Sequence, residues 1–301
     1  MENQTERSNS SILLFLIFSF APVWAACFIM LFVRQPVSTT MTVIFAAFMF
    51  MPAIASLLTR WIQHEGFRNM YLKPHLRGNW GKYLLSVFVP PLLVFGGAAL
   101  YFLCFPSMFD TEFSVLVSAG VAKSQVVTVI VVQLVQGILL APFINLIPCL
   151  GEELGWRGYL LPKLLERFSP RAAVLITGVV WGVWHAPMIA LGHNYGLDYV
   201  GYPWLGILLM TLFCVGFGAF IASLSIKTQS AIPAALSHAS LNGIASAALL
   251  VSKSGYSTLV GPLPMGILAG VPIFVLGAAL FLSKRAFLQR PQLSQASADV
   301  E

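Results

Sequence analysis

Eight separate runs of about 20 predominantly apolar residues fill the sequence, and they constrain the fold more than any other feature. A run of about 20 apolar residues is long enough to cross the hydrocarbon core of a bilayer as one α-helix. We therefore expect an all-α fold, a polytopic transmembrane helical bundle with about eight spans. The runs cover roughly residues 11–33, 41–62, 83–106, 126–148, 172–192, 203–225, 229–251 and 262–283.

The composition agrees with a membrane protein and excludes several other classes. Hydrophobic residues make up 58% of the 301 residues and charged residues only 9%, whereas a soluble domain carries about 25% charged residues. The Lys and Arg residues lie between apolar runs rather than on one soluble face, so no nucleic-acid partner is expected. The four cysteines form no CxxC pair, and neither a disulfide framework nor a thiolate metal site is indicated.

No connection between the runs is long enough to hold a second folded domain. Residues 1–301 are therefore expected to form one integral membrane domain whose constant partner is the lipid bilayer. The Gln- and Ser-rich segment 286–301 is expected to be a disordered tail. The sequence leaves the oligomeric state open.

Basic residues predict the orientation, because Lys and Arg near the ends of spans are retained in the cytoplasm. With eight alternating spans, only Arg34, Lys123 and Lys253 fall on one side, which leaves 14 of the 17 basic residues on the side of both termini. Both termini of this multi-pass protein are therefore predicted to be cytoplasmic, in the plasma membrane. Trp61 and Trp80 lie at span borders, as does Trp204, where interfacial anchors are common.

Ionisable side chains are costly inside a bilayer, so each one within an apolar run is a candidate functional residue. The first group lies in the segment Gly-Glu-Glu-Leu-Gly-Trp-Arg, residues 151–157. On a helix, Glu153 and Arg157 are at i and i+4 with the acid first, a favourable ion pair, while Glu152 points about 100° away. Glu152 would then be free to act as a general base. The alternative is a solvated loop with all three charges in water.

The second group contains His185, which follows Trp181 by one helical turn and precedes Pro187. Because proline lacks an amide donor, the helix is expected to kink beside the imidazole. The alternative is a core histidine bonded to a neighbouring helix. His64, His75 and His193 are instead expected at the surface.

The third group contains His238 and Asn242, which share one helix face and direct two hydrogen-bond donors to one point. Paired donors in a water-poor cavity stabilise the oxyanion of a tetrahedral intermediate. The alternative is interhelical polar packing.

Together the groups supply a carboxylate base, two imidazoles and an amide donor, the parts needed for attack of an activated water on an amide carbonyl. The same side chains would suit a zinc ion held by two histidines and one glutamate. The residues alone do not distinguish these two chemistries.

Three motifs in this order resemble the CAAX prenyl protease and bacteriocin-processing intramembrane proteases, also called the type II CAAX endopeptidase or Abi family. The family's EExxxR, aromatic-xxx-His and His-xxx-Asn motifs match within a core of about residues 140–245. The matching residues are Glu152, Glu153, Arg157, Trp181, His185, His238 and Asn242.

The resemblance implies a hydrolase and assigns a role to the residues of each motif. Glu152 and His185 would activate water, Glu153 and Arg157 would orient that base, and His238 with Asn242 would form the oxyanion hole. The family has been described as metalloproteases, yet a metal-free glutamate mechanism fits the same roles. We favour no cofactor; a divalent cation such as Zn, if bound, would use Glu152, His185 and His238.

Other intramembrane protease chemistries lack their residues. His64-Glu65 begins like a zinc HExxH motif but has Arg68 where the second histidine must be. The chain has no GxSxG motif for a serine enzyme. Asp110 and Asp198 fall in predicted outer loops, so a paired-aspartate mechanism is excluded.

The depths of the candidate residues require a correction to the span boundaries. His185 lies 13 residues into its run, about 20 Å from the cytoplasmic end, whereas Glu152 follows the end of the fourth run. Pro142 and Pro148 interrupt that run. We therefore expect a long, kinked or tilted segment that keeps residues 149–160 within the membrane, level with both histidines.

The sequence thus predicts an endopeptidase with a cavity open toward the cytoplasm. It would cleave a membrane-associated substrate, with a prenylated CAAX-type peptide as one candidate. The rival hypothesis is a membrane transporter, or a bacteriocin-immunity or interaction protein, that uses the same buried polar residues without proteolysis. The substrate itself is not identified by the sequence.

Overall fold

A computed structural model describes residues 4–33 and 39–288, and in these ranges the fold is all-α. One isolated bridge joins Phe109 to Ser252. The helices are α1 (Gln4–Phe32), α2 (Thr39–Phe48), α3 (Met51–Ile62), α4 (Trp80–Cys104), α5 (Ser114–Ser118), α6 (Val126–Leu139), α7 (Ala141–Ile144), α8 (Leu146–Gly155), α9 (Leu161–Leu165), α10 (Pro170–Trp184), α11 (Ala186–Ala190), α12 (Trp204–Thr228), α13 (Ile232–Ile244) and α14 (Val271–Leu282).

Six helical segments in the described ranges are long and apolar enough to cross a membrane, and the chain is an integral membrane protein. They confirm the predicted all-α membrane fold and six of the predicted runs. The segments are Asn9–Phe32, Thr40–Ile62, Trp80–Cys104, Pro170–Ala190, Trp204–Thr228 and Ile232–Val251.

The other two predicted runs contain shorter apolar helices, Lys123–Leu139 and Val271–Leu282. The run 262–283 is helical only from Val271, because Pro262 and Pro264 interrupt its first part. Gly266 and Gly270 accordingly pack against their own loop and the start of α14 rather than against a separate helix. The span count of eight remains a prediction.

Several of the loops between helices are bonded to each other at one end of the bundle. We call it the basic end (residues 9–11, 63–75, 163–171, 226–231 and 283–285). Its contacts join the predicted cytoplasmic loops to each other. They are Arg167 to Asn9, Lys163 to Glu65, Tyr71 to Gln229, and Arg171 to the Ser283 carbonyl.

The remaining connections meet at the other end, the distal end (residues 105–123, 191–202 and 251–267). The Asp110 amide donates to Val251 O at 2.9 Å. The Tyr195 hydroxyl donates to Met265 O at 2.9 Å. The loops thus fall into the two sets that the alternating spans predict, while the side of the membrane that each end faces stays a prediction.

The tail begins later than predicted. Ala286 and Phe287 are buried, and the Phe287 ring packs against Phe281, so residues 286 and 287 belong to the folded part. The rest of the predicted disordered tail, residues 289–301, lies outside the described residues, as do Arg34 and Arg290 of the charge count.

The orientation predicts which end of the bundle a membrane-impermeant thiol reagent reaches. In intact cells, we expect added reagent to label Thr111→Cys, which lies at the distal end of the bundle. Lys73→Cys, at the basic end, should be labelled only after permeabilisation. Both residues are exposed, and a Cys104→Ser background removes the exposed native thiol. If only Lys73→Cys were labelled in intact cells, the orientation would be the opposite of the predicted one.

Candidate active site

The candidate residues come together from three elements: the segment from α8 into the following turn, the end of α10, and α13. Between α8 and α9 the residues Trp156–Leu160 form a π-helical turn. Such turns insert an extra residue into the helical repeat and change the direction of the side chains around them. Glu152, Glu153, Arg157, His185 and His238 are all buried.

A broken helical run places Glu152 at the depth of His185. The run from Val126 to Leu165 is interrupted at Leu140 and Asn145, consistent with the expected kinked segment. Thirteen residues separate Glu152 from the end of α9, or about 20 Å of helix. Fifteen separate Pro170 from His185, or about 22 Å. Because a short turn joins the two helices, their side chains meet at one level.

Two glycines allow this run to lie against α3. A Cβ atom at Gly151 would lie 2.7 Å from Met49 O, and one at Gly155 would lie 2.3 Å from the Pro52 Cβ. Any larger side chain would therefore push the helix, and Glu152 with it, away from its neighbours. Gly178 and Gly182 play the same part between α10 and α12, where Val215 and Thr211 come equally close.

The carboxylate of Glu152 is held by two indoles. Trp181 Nε1 donates to Glu152 Oε2 at 2.7 Å, and Trp156 Nε1 donates to the same oxygen at 3.4 Å. No cation among the described residues forms an ion pair with Glu152. The hydrogen bonds therefore fix the position of the carboxylate without neutralising it.

Glu153 joins Arg157 to His238. Arg157 Nη1 lies 3.1 Å from Oε1 and 2.9 Å from Oε2 of Glu153, the i to i+4 pairing that the spacing indicates. His238 Nδ1 lies 3.0 Å from Glu153 Oε1. Glu153 therefore contacts Arg157 and His238, whereas two indoles bond Glu152; the orienting role expected for Glu153 and Arg157 stays a prediction.

The Arg157 guanidinium lies over the Trp181 ring, 4.4 Å from its centroid. Among the described residues, its Nε and Nη2 have no hydrogen-bond partner, and this cation–π contact compensates part of that loss. Gly218 makes the room, because a Cβ there would lie 3.0 Å from Nη2. Trp181 thus contacts the Glu152 carboxylate through its Nε1 and the buried Arg157 guanidinium through its ring.

His185 ends α10 at the expected break in the helix. Its Nδ1 lies 2.8 Å from Trp181 O. A carbonyl only accepts, so Nδ1 carries the hydrogen, and Nε2 of the neutral ring is left as an acceptor. The His185 ring packs edge-on against Trp184, with centroids 4.9 Å apart. His185 is therefore fixed in orientation and tautomer.

Asn242 follows His238 by one turn of α13 and makes only a weak contact, from Nδ2 to Cys149 Sγ at 3.6 Å. Its amide therefore keeps donor capacity for a ligand. Glu152, His185, His238 and Asn242 all line one cavity of about 440 Å³, a volume typical of small-ligand and peptide sites.

The cavity runs from Glu152 to the distal end. Its other walls come from the start of α2, the turn after α11, the end of α13 and the loop around Met265. The lining residues thus lie between the level of Glu152 and the distal end, while the predicted orientation and the predicted cytoplasmic opening both stay predictions.

Sequence reasoning missed two residues of this site. His193 was expected at the surface, but it lines the cavity and its ring lies parallel to that of His185, with centroids 6.5 Å apart. Trp156 was left without a role, but it donates to Glu152. Its i to i+4 spacing from Glu152 was the available signal for that bond.

The residues do not fit a metal centre. Among the described residues, no three His, Cys, Asp or Glu side chains are arranged to hold a metal ion. The conditional ligand set of Glu152, His185 and His238 is therefore not arranged as a metal site.

Comparisons with known proteins agree with the three motifs. Residues 133–244 match the family described as type II CAAX prenyl endopeptidase Rce1-like. The chain is also 31% identical over 91 residues to a CAAX prenyl protease 2 of Methanococcus maripaludis, covering 30% of this chain and 33% of that relative. The match thus spans a third of the relative's length. The resemblance inferred from the motifs is confirmed, and the matched segment contains all seven motif residues.

The buried ion pair predicts a large stability difference between two similar substitutions. Arg157→Met leaves the fully buried Glu153 carboxylate without its cation, and we expect the free energy of unfolding to fall by about 3–5 kcal/mol. Lys123→Met removes the cation of the exposed pair with Glu112 and should change stability little. Denaturant titration in mixed micelles measures both. Equal effects would contradict the assigned burial.

Proposed function

We propose that this chain is an intramembrane endopeptidase that hydrolyses a peptide bond of a membrane-associated substrate. One observation carries the proposal: Glu152 and His185 line the same cavity as His238 and Asn242. The matched family is one of endopeptidases by its description, which supports the same chemistry.

Glu152 and His185 activate water in this proposal. Water hydrogen-bonds to Glu152 and to His185 Nε2, and Glu152 takes a proton as the oxygen attacks the carbonyl carbon. The tetrahedral intermediate then collapses. Glu152 returns its proton to the departing amine, and the new carboxylic acid gives its remaining proton to the same amine, so the products are a carboxylate and an ammonium group and the base is regenerated. Trp181 and Trp156 keep Glu152 in place through both transfers.

His238 and Asn242 stabilise the oxyanion. Asn242 donates through Nδ2. His238 uses Nδ1 toward Glu153, so its Nε2 donates only when the ring is protonated. The buried carboxylate of Glu153 supplies the negative charge that favours this imidazolium. Glu152 and Glu153 then balance Arg157 and His238, and the buried group is neutral overall.

We propose a peptide that ends near the membrane surface as the substrate. The matched relative is named a CAAX prenyl protease, so a prenylated CAAX peptide is the first candidate. The cavity walls are rich in Met, Phe and Leu side chains, which suits apolar residues beside the cleaved bond. We also propose the plasma membrane as the location, with the basic end toward the cytoplasm.

Replacement of the base tests the activity. Glu152→Gln keeps the size of the side chain and an oxygen for the indoles, so folding and insertion should persist while cleavage falls at least about 10²-fold. Glu166→Gln, an exposed residue of the basic end, is the matched control and should cleave normally. The measurement compares new peptide termini in membranes with matched amounts of folded protein.

Two outcomes of that comparison are decisive. Termini that require Glu152 but not Glu166 establish proteolysis and identify the substrate. Identical termini with and without Glu152 would remove the peptidase proposal, and ion or solute flux would become the next measurement.

The oxyanion donors make a separate prediction. Asn242→Ala removes one donor, and we expect kcat to fall by about 10²–10³-fold with a smaller change in KM, because the bond is made chiefly in the transition state. Asn69→Ala, which changes an exposed asparagine of the basic end, serves as the control. An unchanged kcat for Asn242→Ala would assign that residue to helix packing.

A further inference from the structure

His193 projects into the cavity from a tight turn after α11. The turn is built by left-handed backbone on both sides, at Gly192 (φ +93°) and Asn194 (φ +65°). The His193 amide donates to Met188 O at 3.0 Å, and the His193 carbonyl accepts from Tyr195 N at 2.8 Å. Since both backbone groups are bonded, the direction of the imidazole is set by the fold.

The imidazole itself has contacts but no hydrogen bond to another described side chain or carbonyl. It packs parallel to the His185 ring and edge-on against Phe45, whose centroid is 5.3 Å away. The walls of the same cavity also contain Met188, Met210 and Met265. Methionine side chains offer it no strong hydrogen-bond partner. Its donor and its acceptor are therefore left for whatever occupies the cavity.

The spacing of the two rings matches the repeat of an extended peptide. Their centroids are 6.5 Å apart, and an extended chain advances about 3.3 Å per residue. A peptide whose reacting carbonyl lies at His185 therefore brings the backbone about two residues away to His193. A neutral imidazole has one donor and one acceptor, which complement a peptide carbonyl and a peptide N–H.

We propose that His193 is a substrate-binding residue that hydrogen-bonds the peptide backbone about two residues from the cleaved bond. The inference rests on the proposed function, because it takes His185 as the position of that bond. Backbone recognition at His193 leaves the substrate side chains to the neighbouring methionines, whose flexible side chains accept apolar groups of different shape.

The test measures binding and turnover separately, with a fluorescent prenylated CAAX peptide as the probe. His193→Ala should raise KM about 3- to 10-fold with kcat within about 2-fold, the loss expected for one hydrogen bond. His193→Gln retains a donor and an acceptor and should recover most of the loss. His64→Ala, an exposed histidine of the basic end, is the control. A residue with a merely structural role would lower the melting temperature and would not be rescued by Gln.

A second measurement separates this inference from the proposed function. The affinity of the probe is measured for Glu152→Gln and for Glu152→Gln combined with His193→Ala. Weaker binding by the double variant supports His193 as a binding residue even if the native chain does not cleave the probe. Cleavage by the native chain with equal KM for His193→Ala overturns the inference alone. If the native chain neither cleaves nor binds the probe, both proposals are overturned for this substrate class.

Discussion

The buried carboxylate of Glu153, placed between Arg157 and His238, is the interaction on which the rest of the site depends. Isolated charges are costly in a low-dielectric interior, so each must be balanced by a partner of good geometry. Arg157 donates hydrogen bonds to both carboxylate oxygens of Glu153. His238 Nδ1 lies within hydrogen-bond distance of one of these oxygens. This group ties α13 to the end of α8. Trp181 then connects the same group to Glu152, so the proposed base and the proposed oxyanion donors are parts of one packed unit.

Much of this arrangement follows from local sequence. The length of the apolar runs is enough to predict an all-α membrane fold, because the bilayer allows few alternatives. The spacing of Glu153 and Arg157 predicts their ion pair, since residues four apart share a helix face. Pro187 predicts the break beside His185, where the helix α10 ends. Each prediction concerns residues that are close in sequence, so helix geometry alone decides it.

The contacts between helices were not predictable in the same way. Whether Glu152 or Glu153 meets His238 depends on the rotation of α8, which the close approach of Gly151 to Met49, just before α3, and the π-helical turn set together. His193 was misplaced because a histidine in a short connection is usually at the surface. Here the left-handed turn at Gly192 directs it inward, and a single sequence gives no sign of that direction.

The position of the cavity walls has a consequence for the products of hydrolysis. Cleavage turns one neutral amide into an ammonium and a carboxylate group, and neither is stable against the methionine and phenylalanine side chains that line the cavity near His193. In the proposed reaction, fresh ends would therefore favour leaving the cavity for water, while an intact apolar peptide has no such drive. Hydrolysis at Glu152 would in this way also favour release of its own products from the cavity.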